Sequence, residues 1–499
     1  MLSSITTLLP LSLLEKIEFK ILSSPKRAQR ILTRIPDKVF TINSQRKAVE
    51  IAQRAIDRVP AYATFLADQQ RINCTVKTIE EFEGLPITTK ENYVKKYGYE
   101  SRCVGGKFPL CGNIDESSGS SGKPTNWIRA RREEDLLLKA VEFEYVYTFK
   151  PHHERTIILS AWSSGPWATG VKFCELMEHF ALVKNTGTDP QAIIETLETF
   201  GPGYEYIIAG YPLFLQKLFD ENKKFAWKDF TIHLLTGGDS NPPKWREHFN
   251  RFLQEDVKVI SSYGCSDIDI GIGFETPISQ FIRELCVENP DLREELFEDR
   301  SQIPMLFQYN PLMHYIENIT IKGQPSFCVT LLDPHAASPK VRYSVEDRGG
   351  VREFSSVFKI VRRHEPKKLR EFLAHNDTPL RLPFLFVGGR VDGTLSFDGA
   401  NVFPEQVAHA LSPLRDVVNN FVMKKKGSSF LLQLELRKGA RRISRKRVSN
   451  IIGQELSKLN RDYAESLENN HLLFPQIEWF SYGTGPFRKS NAIKFKRIC

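Results

Sequence analysis

Cysteine is sparse in this sequence: eight in 499 residues, at 74, 103, 111, 174, 265, 286, 328 and 499. None stands in a CxxC pair, and none joins a histidine cluster at zinc spacing. Neither a disulfide framework nor a zinc site is expected, and a reducing, cytoplasmic setting follows. Long apolar runs are also missing. The uncharged stretch Met1–Leu14 falls short of the ~20 residues that cross a bilayer, and it lacks the basic start of a signal peptide. Continued to Leu22, it reads as an apolar helix docked on the body. The rival reading is a helix lying on a membrane, a peripheral contact. No internal repeat or low-complexity tract occurs.

What is present is ordinary for a globular protein: 41% apolar and 26% charged residues. The length suits two domains or more, and a chain this long buries a large core without staples. Lys and Arg number 69 against 60 Asp and Glu, a net charge of +9. That excess fits anionic ligands, yet it is diffuse enough to serve solubility alone.

Residues 12–70 carry apolar side chains at three- and four-residue intervals, as at Val49, Ala52 and Ile56, and predict helices. Thr88 or Thr89 is placed to cap a helix beginning near Glu91. From 110 to 390, short apolar runs alternate with helical stretches. Thr156–Leu159, Tyr206–Ala209, Thr231–Thr236 and Lys258–Ser262 read as buried strands of an α/β sheet. Three glycines within Gly388–Gly393 predict a flexible joint, and the hundred or so residues beyond it suit a small α+β domain. The expected division is 1–80, helical and packed on the large domain; 81–391, the large domain; and 392–499, a small mobile domain. Arg437–Arg447 holds seven basic residues in eleven. They form either a solvated turn or a patch for cosubstrate phosphates. With no interleaved aromatics, they do not point to nucleic acid.

Six segments carry the chemistry. Ser117-Ser118-Gly119-Ser120-Ser121-Gly122-Lys123 lies between two expected strands, Leu110–Ile114 and Trp127–Ala130. Its glycines let backbone amides approach an anion, and Lys123 adds charge. It is not a P-loop, and a flexible linker is the bland alternative. Leu234–Asp239 is a strand opening into the turn Gly237-Gly238-Asp239, and a helix with Trp245, Phe249 and Phe252 follows. Next comes Ser261-Ser262-Tyr263-Gly264-Cys265-Ser266-Asp267. Tyr263 can lie against an aromatic base, Ser266 can bond a phosphate, and Asp267 can hold Mg²⁺. Alternatively, Tyr263 is core and Asp267 a helix cap. Within Arg342–Gly350, Asp347 can accept two ribose hydroxyls or sit on a surface turn. Last come Gly389-Arg390-Val391-Asp392-Gly393 and the basic tail around Lys489 and Lys494.

The motifs SSGSSGKPT, LLTGGD, SSYGCSD, RYSVEDRGG, GGRVDG and DGANVFPEQV, with the lysine-bearing tail, stand in the order of the adenylate-forming enzymes. The sequence resembles that superfamily of acyl-CoA synthetases, adenylation domains and luciferases from about residue 80 onward. LPITTKENY and YGCSD look most like its phenylacetate–CoA ligase branch. The resemblance implies ATP, Mg²⁺ and a small carboxylic acid as reactants, with CoA or another acyl acceptor. The loop from Ser117 to Lys123 would meet the β- and γ-phosphates. Gly237, Gly238 and Asp239 would border adenine, Tyr263 would stack on it, and Ser266 would contact phosphate. Asp347 and Arg390 would hold ribose, Asp392 would be the hinge and Lys494 the catalytic lysine. Asp267 stands where the family has Glu, and Ile493 precedes Lys494 where the family has Gly; Lys489 is the reserve. Trp162, Ser163 and Gly165 fall where the branch shapes its acid pocket, and two nearby tryptophans suit an aryl or compact acid.

Overall fold

Runs of Ile, Leu and Val bury side chains on both faces only inside a layered sheet, and such runs form the centre of this molecule. The computed structural model describes residues 10–72, 74–117, 125–151, 155–162, 164, 168–238, 240–241, 243–300, 303–391, 395–397, 400–426, 429–460, 463–464, 467 and 473–488. The chain divides into two compact units. The larger comprises Met1–Asp239, Trp245–Ile282 and Leu306–Phe386; the smaller comprises Ser240–Lys244, Arg283–Met305 and Val387–Cys499. The smaller unit thus begins its last part at Val387, one residue before the glycine-rich segment. It also takes two inner segments that the sequence gave no reason to separate.

Helices Leu11–Leu22, Pro25–Leu32, Asp37–Arg58 and Pro60–Asp68 open the larger unit. Leu14 and Leu22 are buried, and Glu18 Oε2 lies 2.8 Å from Lys47 Nζ. Thr89 caps a single π-helical turn, Lys90–Val94, in a reciprocal pair with Asn92. Thr88 is turned instead to the Val341 carbonyl, 2.9 Å away.

The strands are β1 (Gly112–Ser117), β2 (Thr125–Ala130), β3 (Thr156–Ser160), β4 (Leu182–Asn185), β5 (Glu205–Gly210), β6 (Thr231–Gly237), β7 (Val259–Cys265), β8 (Asp269–Phe274), β9 (Met305–Tyr309), β10 (His314–Ile321), β11 (Gln324–Leu331), β12 (Asp347–Arg352) and β13 (Phe384–Arg390). β1 and β2 form a hairpin; the rest make one sheet in the order β10-β11-β12-β13-β9-β8-β7-β6-β5-β3-β4. The four expected buried strands are β3, β5, β6 and β7, and they pair in parallel. Their connections open at the carboxyl ends, where ligands bind in such sheets. One expectation needs correction: Trp245 and Phe249 lie on a 3₁₀ segment, Pro243–Arg251, and Phe252 lies beyond it. Gly388, Gly389 and Arg390 continue β13, and Gly393 lies outside the described residues.

In the smaller unit, β14 (Leu395–Phe397) pairs with β15 (Ala400–Val402). The remaining sheet is β16 (Val418–Lys426), β17 (Ser429–Leu436) and β18 (Gln476–Phe480). The helix Arg445–Leu459 covers a core of Met423, Phe430, Leu432, Leu434, Val448, Ile452 and Leu456.

Candidate active site

The hairpin presents the phosphate-loop candidate. Ser117 and Thr125 are cross-strand partners, so the ends of the loop are held opposite each other. Ser118, Gly119, Ser120, Ser121, Gly122 and Lys123 lie outside the described residues. So do Asp239, Asp392, Lys489, Lys494, Ser163 and Gly165, and the Arg390 side chain.

Beside the hairpin, β6 and β7 run together, with Gly237 opposite Ser262. A Cβ on Gly237 would stand 2.8 Å from the Ser262 carbonyl oxygen, so only glycine lets the strands close there. Gly238 has φ +75 and fits against the Tyr211 ring. Trp162 is buried edge-to-face against Tyr211, with centroids 4.8 Å apart.

Two distant motifs exchange hydrogen bonds. Tyr263 Oη donates to Asp347 Oδ2 at 2.7 Å, and Tyr343 Oη donates to Asp267 Oδ2 at 2.7 Å. Each tyrosine belongs to one motif and each aspartate to the other. The Tyr263 ring stacks on Phe307, with centroids 5.8 Å apart and planes at 29°. Burial, and then the Asp267 charge, raise the Tyr343 phenol well above its usual range, so it stays a donor. Asp267 Oδ1 faces Lys90 Nζ at 3.6 Å. Lys90 and Lys340 lie over the Trp127 ring, at 5.6 and 5.0 Å from its centroid. Burial and nearby Arg129 lower Lys340.

Beneath this turn lies a buried set of charges. Arg129 Nη2 donates to the Ser266 carbonyl at 2.9 Å, and its Nε donates to Asp115 Oδ2 at 3.2 Å. Glu133 Oε1 is 3.8 Å from Arg129 Nε. Lys172 Nζ stands 3.6 Å from Asp115, 3.4 Å from Glu134 and 3.8 Å from Asp269. Arg129, Glu133, Lys172, Asp269 and Asp333 share the wall of a small cavity with Leu136, Leu137, Met313 and Leu331. Burial pushes Asp333 up to about 7.

The structure therefore brings Tyr263, Ser266, Asp267 and Asp347 into one neighbourhood, with the hairpin tied to it through Arg129. Sequence reasoning gave no role to Lys90, Arg129 or Tyr343. Lys90 and Tyr343 sat inside segments singled out for other reasons; Arg129 left no signal beyond its place in an expected strand. Among the described residues no group of three or more His, Cys, Asp or Glu side chains could hold a metal. A lone Asp267 fits Mg²⁺ only as the ion is usually held beside nucleotide phosphates: by one carboxylate, water and the phosphates themselves.

No family model matches the sequence, and no curated protein matches it. Solved structures do. A 2-hydroxyisobutyryl-CoA ligase in its postadenylation state, in complex with R3-HIB-AMP, superposes with a TM-score of 0.64 at 14% identity, over 94% of this chain and 91% of that one. The same ligase in an open conformation with 2-HIB-AMP and CoA gives a TM-score of 0.53 at 13% identity, over 93% and 92%. The GH3.15 acyl acid amido synthetase gives 0.56 at 13% identity, over 98% and 93%. The chain has the fold of these ligases.

Proposed function

We propose that the protein activates a small carboxylic acid with ATP and passes the acyl group to CoA, as an acid–thiol ligase of the phenylacetate–CoA ligase type. The observation that carries this reading is the exchange of hydrogen bonds between the YGCSD and RYSVED motifs at the carboxyl edge of a parallel sheet. In the first step a carboxylate oxygen attacks the α-phosphorus of ATP. The bond to the β-phosphate oxygen breaks, and pyrophosphate leaves. In the second, the thiol attacks the acyl carbonyl and AMP departs. Bound Mg²⁺ would neutralise phosphate charge, and Asp267 would help to hold it.

The chain's own groups position and neutralise. Asp347 meets ribose hydroxyls while Tyr263 donates to its Oδ2, and Arg390 is the second ribose contact. The amides and hydroxyls from Ser117 to Gly122, with Lys123, cradle the outer phosphates. Gly237, Gly238 and Asp239 border adenine, and Ser266 meets phosphate. Lys494 serves the first step, and Asp392 is the hinge between steps. Trp162, Ser163 and Gly165 shape the acid pocket. A second reading, transfer to an amine, draws support from the likeness to an acyl acid amido synthetase.

The test is pyrophosphate release over a panel of aryl, fatty and amino acids, with and without CoA or amines. A single acid class should drive release, and CoA should speed AMP formation. If an amine does so instead, the acceptor is the amine. If no acid drives release, the chain is a nucleotide-binding scaffold without the reaction. Lys494→Ala should nearly abolish pyrophosphate release yet spare consumption of a supplied acyl-adenylate. The same pattern in Lys489→Ala, with Lys494→Ala active, would move the role to Lys489.

A further inference from the structure

The helix Leu11–Leu22 turns Leu14, Glu18 and Leu22 inward, and Glu18 is neutralised by Lys47. Its other side is unusual. Leu13, Ile17 and Phe19 are 43%, 39% and 44% exposed, three bulky apolar side chains open to solvent within seven residues. Leu13, Lys16, Ile17 and Lys20 follow the i, i+3, i+4, i+7 spacing of one helical face. The exposed charges from Lys16 to Lys38 are of one sign. Lys16, Lys20, Lys26, Arg27, Arg30, Arg34 and Lys38 are all exposed, whereas Glu15 and Asp37 are only partly so. Arg27 Nη1 donates to the Lys20 carbonyl at 2.7 Å, so the fold sets the charges of the helix Pro25–Leu32 against the end of the first helix. The nine residues ahead of Pro10 carry no charge.

We infer that this face docks on an anionic lipid bilayer. A bilayer surface offers both things the face asks for. Leucine, isoleucine and phenylalanine sink into the boundary between headgroups and acyl chains, while lysine and arginine meet lipid phosphates and carboxylates. Nucleic acid would satisfy the charges, but single strands use aromatic platforms for their bases, and two of these three side chains are aliphatic. An apolar protein partner would leave the basic residues unmatched. The inference does not depend on the reaction proposed above.

The test is co-sedimentation of the full chain with phosphatidylcholine vesicles, with and without phosphatidylserine, at low and high salt. The protein should pellet only with the anionic vesicles, and salt should release it. Leu13→Ser, Ile17→Ser and Phe19→Ser combined should abolish pelleting while the melting temperature stays within a few degrees of the wild type. Lys16→Gln and Lys20→Gln should each lower the partition coefficient about fivefold. The inference is overturned if the wild type ignores anionic vesicles, or if the apolar triple variant still pellets. It is also overturned if the protein binds RNA or DNA but not vesicles, or if the triple variant changes only a monomer–dimer equilibrium.

Discussion

Two buried regions of this molecule are made of opposite materials. In the smaller unit, Met423, Phe430, Leu432, Leu434, Val448, Ile452 and Leu456 pack with no exposed surface and no charge. Behind the Ser266 turn, Asp115, Arg129, Glu133, Glu134, Lys172 and Asp269 are also buried, and every one is ionisable. An apolar core is specified by volume and pattern, and it forgives swaps that keep both. A buried ionic core gives little net stability over apolar residues of the same shape, but it punishes removal of one partner. What the charges supply is direction. Arg129 cannot satisfy Asp115 and the Ser266 carbonyl together unless the hairpin and the β7–β8 turn hold one spacing.

The largest effect should come from breaking that bridge. Arg129→Met removes the cation that Asp115 and Glu133 share and leaves Asp115 only Lys172, which should cost about 3–5 kcal/mol of stability. The buried swap Ile452→Val in the smaller unit should cost about 0.5–1.5 kcal/mol. Denaturant unfolding of both variants checks the contrast, and equal losses would erase it. Pyrophosphate release sharpens it further. Arg129→Lys keeps the charge but not the fork that reaches two acceptors, so it should recover stability more than rate. If Arg129→Lys restores both in full, Arg129 is merely a counter-ion.

The next effect is one of pH. Glu144, on the helix Glu134–Phe149, has no hydrogen-bond or ion-pair partner among the described residues, and burial pushes its carboxyl up to about 8, with Asp269 adding to the rise. Its ordinary value is 4.5. The folded state therefore binds a proton that the unfolded state has released between about 4.5 and about 8, and stability falls as pH rises through that window. Glu144→Gln should remove the dependence, with a slope difference of at most ~1.4 kcal/mol per pH unit. Parallel stability curves for the two proteins across this range would show that Glu144 ionises freely.

The apolar strands of the larger unit were legible in the sequence, and the ionic set behind Ser266 was not. Tyr206–Ala209 and Thr231–Thr236 announce buried strands because a run without charges can only sit between layers. The Thr89 cap was legible because capping is a local arrangement. The Tyr263–Asp347 and Tyr343–Asp267 pairs join positions 84 and 76 residues apart, and no spacing rule relates them. Arg129 and Lys172 look in sequence like any surface cation; only the fold surrounds them with Asp115, Glu133, Glu134 and Asp269. The inner segments Ser240–Lys244 and Arg283–Met305 were illegible for a similar reason, because long-range contacts, not composition, assign them to the smaller unit. The order of the chemical motifs was legible, and it anticipated the fold. Which of their side chains touch was decided by the sheet.

The smallest effect tests where the ionic and apolar designs meet. Tyr263 belongs to both: its ring stacks on Phe307, and its hydroxyl holds Asp347. Tyr263→Phe keeps the stack and deletes the donor, so stability should drop by about 1 kcal/mol, the usual net value of one hydrogen bond. Asp347 would then lose the constraint on one oxygen. If the Tyr263 bond fixes the orientation in which the carboxylate meets a ribose, ATP should bind a few-fold more weakly, whereas adenosine lacking its ribose hydroxyls should bind as before. Tyr343→Phe is the control, because it frees Asp267 rather than Asp347. It should shift the Mg²⁺ dependence of pyrophosphate release and leave the ribose preference alone. Titrations of ATP and of the dideoxy analogue against the two variants separate these outcomes. If both variants alter the ribose preference alike, the two pairs work as one rigid block, and the separate roles given to Asp347 and Asp267 fail together.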